Sequence, residues 1–189
     1  MGASQSTPKI LVFGAPQSGR KTLVAALADS KEEPPLELVL PEESLEGVDT
    51  ADAMVYVLDG TAPSHWAGDA SRRMLELLHG VNQKLGKLVP LLVCVNKRDV
   101  EGSAPARNVI DTMRLSGDVC AAVGGRLWRV VDASALSGDV AEVRHILVHM
   151  SEAGRRNKPM QILAPKFMRY GSSDGSSAGD ARGACASLP

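Results

Sequence analysis

The sequence predicts an α/β protein in which helices cover both faces of a parallel sheet. Short apolar runs, typical of buried strands, alternate along the chain with longer stretches of helical periodicity. Polar loops that contain glycine or other small residues follow three of these runs. The 189 residues, of which 44% are hydrophobic, are enough for the core of one domain. Because ligands of parallel sheets bind at the carboxyl ends of the strands, these three loops are candidate site elements.

Five apolar runs are predicted as strands. The second is the weakest, since its apolar and polar residues alternate only in part, but it is the one strand candidate in its region. In chain order the runs are Lys9–Phe13, Leu36–Leu40, Ala53–Leu58, Lys87–Val95 and Leu127–Val131.

Four stretches are predicted as helices. The longest carries apolar residues at helical spacing on one face, and Arg72, Arg73 and Glu76 on the opposite face. Its apolar face consists of Met74, Leu75, Leu77, Leu78, Val81 and Leu85. The four stretches are Lys21–Ala28, His65–Leu85, Pro105–Val123 and Asp139–Met150.

The chain divides into four parts by composition. Residues 1–8 form a flexible arm, and residues 9–153 form the α/β domain. Residues 154–170 are a basic extension, and residues 171–189 are rich in Gly, Ser and Ala, which predicts a disordered tail.

Composition excludes several classes of function. The 21 basic and 22 acidic side chains create no overall field for nucleic acid, and aromatic residues for base stacking make up only 3%. Cysteines 94, 120 and 185 are far apart and form no metal or disulfide pattern, which indicates a reducing compartment. No apolar stretch is long enough for a membrane span, and no secretory signal is present, so we expect a cytoplasmic protein.

An Asn-Lys-x-Asp motif, Asn96 to Asp99, directly follows the apolar run from Leu91 to Val95. This combination is suited to guanine. The Asp99 carboxylate can accept hydrogen bonds from the N1–H and N2–H groups of the base. Asn96 steadies the loop and can reach the N7 side, and the aliphatic stem of Lys97 can lie across the base. The alternative is a relict loop in which Asp99 caps the turn and Lys97 is solvated.

A glycine-containing loop from Gly14 to Thr22 follows the first strand and opens a helix, as a phosphate loop does. In one register the pattern G-x-x-x-x-G-K-[ST] begins at Gly14 and places Gly19 at its second glycine. Arg20 then occupies the lysine position and Lys21 the position of the hydroxyl that binds Mg²⁺.

Shifting the register by one places Lys21 and Thr22 in their usual roles but puts Ala15 and Arg20 where glycines are needed. We favour the unshifted register, because the strand then runs directly into Gly14. Arg20 can still meet a phosphate, and the charge of Lys21 can partly replace the metal. The alternative is a strand–helix turn without a ligand.

The two loops, together with Ala133-Ser134-Ala135 after the last strand, resemble those of the Ras superfamily of small GTPases, and of its Arf-like branch in particular. The resemblance covers roughly residues 8 to 152. It implies GDP or GTP as the cofactor, and it implies that the backbone N–H of the Ser-Ala element faces the guanine O6. The implied base-reading residues are Asn96, Lys97, Asp99, Ser134 and Ala135. The implied phosphate-binding residues are Gly14, Gly19, Arg20, Lys21 and Thr22.

One part of the resembled pattern is missing. The stretch from Ser30 to Asp52 is too short for the two nucleotide-sensing loops of that family and two strands, so we expect one edge strand to be deleted. No D-x-x-G occurs at its end, Ser44 stands near the position of the water-positioning Gln, and Glu42 and Glu43 would oppose a γ-phosphate. We therefore predict no catalytic residue and no metal ligand, slow or absent hydrolysis, and reduced dependence on Mg²⁺.

The amino terminus Met1-Gly2-Ala3-Ser4-Gln5-Ser6 fits the acceptor pattern for myristoylation of Gly2, a modification common among Arf-like proteins. The alternative is a chance match on an unstructured arm. One acyl chain anchors a protein only reversibly, so a second signal is needed. A basic patch offers one, with solvated helix-end cations as the alternative reading. The patch consists of Arg155, Arg156, Lys158, Lys166 and Arg169.

Two functions remain open from the sequence. The first is an Arf-like, guanine-nucleotide-binding protein of membrane traffic or ciliary transport that associates reversibly with a membrane surface. The second is a pseudo-GTPase scaffold that binds no nucleotide and acts through protein contacts at a membrane. His145 and His149 can share a helix face, but no carboxylate or cysteine partner indicates a metal site.

Overall fold

The computed structural model describes residues 6–30, 34–41, 45–113 and 127–155. The predictions for Gly2, for the tail and for the basic extension beyond Arg155 lie outside these residues, as do those for Glu42, Glu43 and Ser44. No helix in the described ranges is long and apolar enough to cross a membrane.

Five parallel strands form one sheet, which confirms the predicted small-GTPase-like α/β class. The spatial order is β2-β1-β3-β4-β5. The strands are β1 Lys9–Gly14, β2 Glu37–Val39, β3 Ala53–Asp59, β4 Leu91–Asn96 and β5 Trp128–Asp132. The weak second run is therefore a short edge strand beside β1. Its side chains reach both faces of the sheet, because Leu38 packs against one core cluster and Val39 against the other.

Helices cover both faces of the sheet. They are α1 Arg20–Asp29, α2 Ser71–Leu85, α3 Arg107–Thr112 and α4 Ala141–Arg155. The helices α1 and α4 bury Leu23, Leu27, Val143 and Leu147 on one face, while α2 and α3 bury their apolar residues on the other. With both faces covered, β3 and β4 are buried almost throughout, which explains their unbroken apolar sequence.

The helix predicted from His65 begins at Ser71 instead, so the predicted start is wrong by six residues. Ala67 is extended and Gly68 has a φ of +84°, which interrupts the helical path. Trp66 is only 1% exposed, and its Nε1 donates to the Asp59 carbonyl at 2.9 Å. The buried indole therefore accounts for the break in the helical path at this point. The spacing of apolar residues typical of a helix applies only to the helix that begins at Ser71.

The strand predicted from Lys87 begins four residues later, at Leu91. Gly86, with a φ of +60°, ends α2, and Leu88 is exposed. Pro90 has no N–H to donate, but its carbonyl accepts from the Met54 N–H at 2.8 Å. The third predicted helix is observed from Arg107 to Thr112, and its expected continuation lies in the range that the structure leaves out.

The last helix continues to Arg155, two residues past the predicted boundary of the domain. Arg155 lies 3.1 Å from the Asp52 carboxylate, and its side chain is 25% exposed. Arg155 is therefore engaged with the domain itself, and the other residues of the predicted basic patch lie outside the described residues.

Candidate functional site

The carboxyl ends of β1, β3, β4 and β5 meet at one edge of the sheet, and Asn96 lies at the centre of that edge. Asn96 ends β4 and is 3% exposed. Its Nδ2 donates to the Ser18 carbonyl at 2.9 Å, and its Oδ1 accepts from the Ala135 N–H at 2.9 Å. One side chain therefore joins the three loops that the sequence singled out. Of the two roles considered for Asn96, the structure displays the loop-steadying one.

Lys97 has a left-handed backbone, with a φ of +67°, and its ammonium contacts the Asp59 carboxylate at 2.6 Å. Asp59 ends β3 and also accepts from the N–H and hydroxyl of Thr61, at 2.9 and 2.6 Å. Burial alone would raise the pKa of Asp59, but the hydrogen bonds from Lys97 and Thr61 lower the pKa below its ordinary value of 3.8. Asp59 thus remains ionised and holds the Lys97 ammonium.

Asp99 is exposed, and one of its carboxylate oxygens accepts a hydrogen bond from the Ser134 hydroxyl. Ser134 is 4% exposed, and its backbone pairs with Asp139 through two hydrogen bonds. The neighbouring Arg98 turns away from this loop, with its Nε 3.1 Å from an Asp132 oxygen. The Asp99 carboxylate is therefore oriented by the protein while it keeps acceptor capacity toward solvent.

Ala135 lies beside Asn96, and its backbone N–H donates to the Asn96 Oδ1 at 2.9 Å. The next residue, Leu136, has a side chain that is 81% exposed at the tip of the same loop. A base that entered here would have to share the Ala135 N–H with Asn96 or displace that contact.

The two glycines of the phosphate loop occupy positions that no other residue fits. Gly19 precedes α1 with a φ of +82°, and a Cβ there would lie 2.5 Å from Asn96 Nδ2. A Cβ on Gly14 would lie 2.6 Å from the Ser18 hydroxyl and 2.9 Å from the Val57 carbonyl. These are the glycine positions of the unshifted register, so the backbone geometry favours that register.

The phosphate loop contains unsatisfied donors in this structure. Ser18 is 1% exposed, and its hydroxyl has no hydrogen-bond partner within the described part of the chain. No side chain caps the amino terminus of α1, whose first N–H groups have no partner within the helix. Orphaned donors at a helix amino terminus are what an anion such as phosphate would satisfy.

The residues do not fit a Mg²⁺ ion as well as they fit a phosphate. Lys21 occupies the position of the metal-binding hydroxyl and lines the cavity beside the loop, whereas Thr22 is exposed and does not line it. No group of three or more His, Cys, Asp or Glu side chains is close enough to hold a metal among the residues with described positions. An ammonium where a cation should bind repels it.

An open cavity of about 1400 Å³ separates the phosphate loop from α2, and we name it the α2 cavity. Its floor is formed by Phe13, Tyr56 and Leu77. The cations on its walls are Arg20, Lys21, Arg72 and Arg73, and its acids are Asp69 and Glu76. The base-loop residues do not line this cavity.

The three loops predicted from the sequence lie together at one edge of the sheet, but three residues of the site were not predicted. Asp59, which holds Lys97, closes a predicted strand in the sequence Asp59-Gly60-Thr61, and its position beside the next strand end was a usable signal. Arg72 and Arg73 were assigned to an outward helix face, but that face borders the α2 cavity. No pattern within the helix itself could reveal this, because the cavity depends on what packs against the helix.

The parallel sheet and its two helical layers form a small-GTPase-like α/β fold. The model matches the Arl6 (BBS3) small GTPase of Trypanosoma brucei, solved with the nucleotide analogue GppNp, with a TM-score of 0.61 and 16% identity. This match covers 81% of the present chain and 100% of the other.

A second solved structure of the same fold is that of the mammalian SRP receptor, with a TM-score of 0.61 and 18% identity. It covers 75% of the present chain and 99% of the other. No protein-family model and no curated protein matches the sequence. At these identities the structural matches establish the fold, and the function has to be argued from the site.

Proposed function

We propose that this protein is an Arf-like guanine-nucleotide-binding protein that binds GDP or GTP with reduced dependence on Mg²⁺. One observation carries the proposal: the buried Asn96 carboxamide joins the phosphate loop, the Asn-Lys-x-Asp loop and the Ser-Ala loop through two hydrogen bonds of 2.9 Å. The nucleotide-bound Arl6 neighbour gives independent support for a nucleotide at this edge of the fold.

Guanine is the base that suits the loop chemistry. The Asp99 carboxylate is exposed, held by Ser134 and limited to accepting hydrogen bonds, so it requires a base edge with two donors. Guanine presents N1–H and N2–H, while adenine would leave the carboxylate unmatched. Lys97, held by Asp59 at 2.6 Å, supplies an aliphatic surface for the base.

Hydrolysis is very slow or absent in this proposal. Lys21 stands where a metal-binding hydroxyl is needed, and the stretch between β2 and β3 has no D-x-x-G sequence followed by Gln. Phosphoryl transfer depends on a metal ion and on a positioned water, and no residue for either function was identified in the sequence. Nucleotide binding, rather than turnover, is therefore the proposed activity.

The cellular role of this proposal is membrane traffic or ciliary transport, as for Arf-like proteins in general. Gly2 is the proposed myristoylation site, and the protein is proposed to cycle between cytoplasm and membrane surface. Intact-mass measurement after co-expression with an N-myristoyltransferase tests this point. Absence of the adduct, with Gly2→Ala as the blank, would remove the lipid from the proposal.

A nucleotide-free scaffold is the second candidate, and one observation favours it. The Ala135 N–H, Asn96 and the Asp99–Ser134 pair satisfy one another without a ligand. A base loop that is complete by itself can serve a purely structural purpose, leaving protein contacts as the function.

Titration of fluorescent GDP and GTP into nucleotide-stripped protein separates the two candidates. Micromolar or tighter binding that GDP but not ADP competes away is expected, with similar affinity in Mg²⁺ and in EDTA. Asp99→Asn should shift the preference from guanine to xanthine nucleotides, while Asp111→Asn, an exposed acid on α3, should not. No binding at millimolar nucleotide would establish the scaffold instead.

A further inference from the structure

The α2 cavity lies on the phosphate side of the site and carries more cations than acids. Arg20 and Lys21 come from the phosphate loop and the start of α1, and Arg72 and Arg73 come from the first turn of α2. Two acids, Asp69 and Glu76, share the walls. Described cationic side chains from two separate elements thus face one compartment, and their net charge is positive, which favours an anionic occupant.

The two arginines of α2 differ in how firmly they are engaged. Arg72 forms a hydrogen-bonded ion pair with Asp69 at 2.7 Å. Arg73 is 3.7 Å from the Glu76 carboxylate, which is beyond hydrogen-bonding length. Arg73 therefore keeps the planar set of N–H donors that suits a phosphate.

Arg73 lines the same cavity as Phe13 and Gly14, the residues at which β1 runs into the phosphate loop. Tyr56 lines this cavity as well, and its pKa is raised to about 12 by burial, against an opposing effect of the Arg73 charge. Tyr56 pairs in register with Phe13, the residue directly before Gly14. Arg73 therefore borders the compartment into which the phosphate loop opens.

We propose that Arg73 binds the terminal phosphate of a nucleoside triphosphate in the α2 cavity, in place of a divalent cation. The inference deepens the proposed function and rests on it only for the position of the inner phosphates at the Ser18–Lys21 turn. A chain of three phosphates leaves that turn toward the α2 cavity, because the base loops occupy the other side. Arg20, Lys21 and Arg73 then neutralise the charge that Mg²⁺ neutralises in other phosphate-loop proteins.

A consequence is that the site prefers a triphosphate chain and does not need metal. The diphosphate ends at the turn, where Ser18 and the first N–H groups of α1 serve it. The third phosphate alone reaches α2, so loss of Arg73 should affect it selectively. A general electrostatic attraction would instead weaken the binding of the triphosphate and of the diphosphate in proportion to their charges, so a selective effect on the triphosphate distinguishes the two explanations.

Calorimetric titration in EDTA with inorganic tripolyphosphate, GTP and GDP tests the inference. Arg73→Gln should weaken tripolyphosphate and GTP binding by about tenfold to hundredfold, the range of one charge-assisted hydrogen bond. GDP binding should change by less than about threefold, because a charge at that distance is screened. Arg107→Gln, an exposed cation on α3 away from the α2 cavity, is the matched control and should leave all three affinities unchanged.

Glu76→Gln, on the same helix, should change the GTP affinity in the opposite direction to Arg73→Gln. Removing this acid releases Arg73 and reduces repulsion of the terminal phosphate, so GTP should bind about two- to fivefold more tightly, which is the size of an exposed ion pair. Both variants change exposed side chains, and thermal melting should verify that they remain folded.

The outcomes distinguish this inference from the proposed function. Equal GTP affinity in the wild type and Arg73→Gln, or no tripolyphosphate binding by the wild type, would overturn the inference even if GDP binds well. Arg73-dependent tripolyphosphate binding without any preference for guanine would support the inference and overturn the reading of the base. An absolute requirement for Mg²⁺ would also overturn it.

Discussion

The base side and the phosphate side of this site are built differently. On the base side, Asn96, Asp99, Ser134 and Ala135 satisfy one another through hydrogen bonds and form a finished structure before any ligand arrives. On the phosphate side, the Ser18 hydroxyl is buried without a partner in the described chain, and the α2 cavity stands open. The difference teaches that the base side is held in place by its own hydrogen bonds, whereas the phosphate side keeps a buried donor without a partner among the described residues.

Asn96→Ala should produce the largest effect, because it breaks the base side. It leaves the Ser18 carbonyl and the Ala135 N–H buried without partners, at a cost of about 2–4 kcal/mol in the free energy of unfolding. Urea denaturation measures this, and nucleotide binding should be lost as well. Asn108→Ala on α3 is an exposed control and should cost less than about 0.5 kcal/mol. A similar loss for both variants would show that Asn96 does not connect the loops.

Gly19→Ala should cause the second-largest loss of stability, because Gly19 lies where the phosphate loop contacts Asn96. The left-handed backbone costs about 1–2 kcal/mol for a residue with a Cβ, and the new methyl would press on Asn96 Nδ2. Gly102→Ala is the matched control, because Gly102 has a similar φ of +78° but no atom within 4 Å of a new Cβ. The difference between their unfolding free energies isolates the clash. If the two variants are equally unstable, the contact with Asn96 can relax freely.

Ser18→Ala tests the phosphate side, because it should weaken GDP binding without lowering the stability of the protein. Removing a buried hydroxyl that has no partner should leave the ligand-free protein unchanged or stabilise it by up to about 1 kcal/mol. GDP binding should weaken at the same time. Ser151→Ala removes a buried hydroxyl that does donate, to the Val148 carbonyl at 2.8 Å, and should destabilise by about 1 kcal/mol. Loss of stability in Ser18→Ala comparable with that of Ser151→Ala would contradict the open phosphate side.

Asp59→Asn should have the smallest effect, and it depends on pH. The pKa of Asp59 is lower in the folded protein than its ordinary value of 3.8, so its ion pair with Lys97 stabilises the fold above that value. This contribution is lost as the pH falls through the lowered pKa. The stability difference between wild type and Asp59→Asn should therefore be constant near neutral pH and shrink below 3.8. A stability difference that grows as the pH falls would contradict the lowered pKa of Asp59.

The fold was predictable because its signals are local. Unbroken apolar runs predict strands that are buried on both faces of a sheet, and β3 and β4 are such strands. The predicted boundaries were wrong where tertiary contacts override the local periodic pattern. Trp66 leaves the helical path because its indole is buried and bonded to Asp59, seven residues earlier, and no periodicity records that contact. The short β2 was uncertain from its sequence and became a strand through its pairing with β1.

The sequence by itself determined the order of strands and helices, the three loops at the sheet edge and the identity of the residues on them. These features follow from the spacing of hydrophobic residues and from the chemistry of the side chains, both of which can be read from the sequence. Only the tertiary structure decided that Asn96 joins the loops, that Asp59 holds Lys97 and that Arg73 borders the α2 cavity. The physical reason is that each of these facts depends on a distance between atoms far apart in the chain, and packing alone sets such distances.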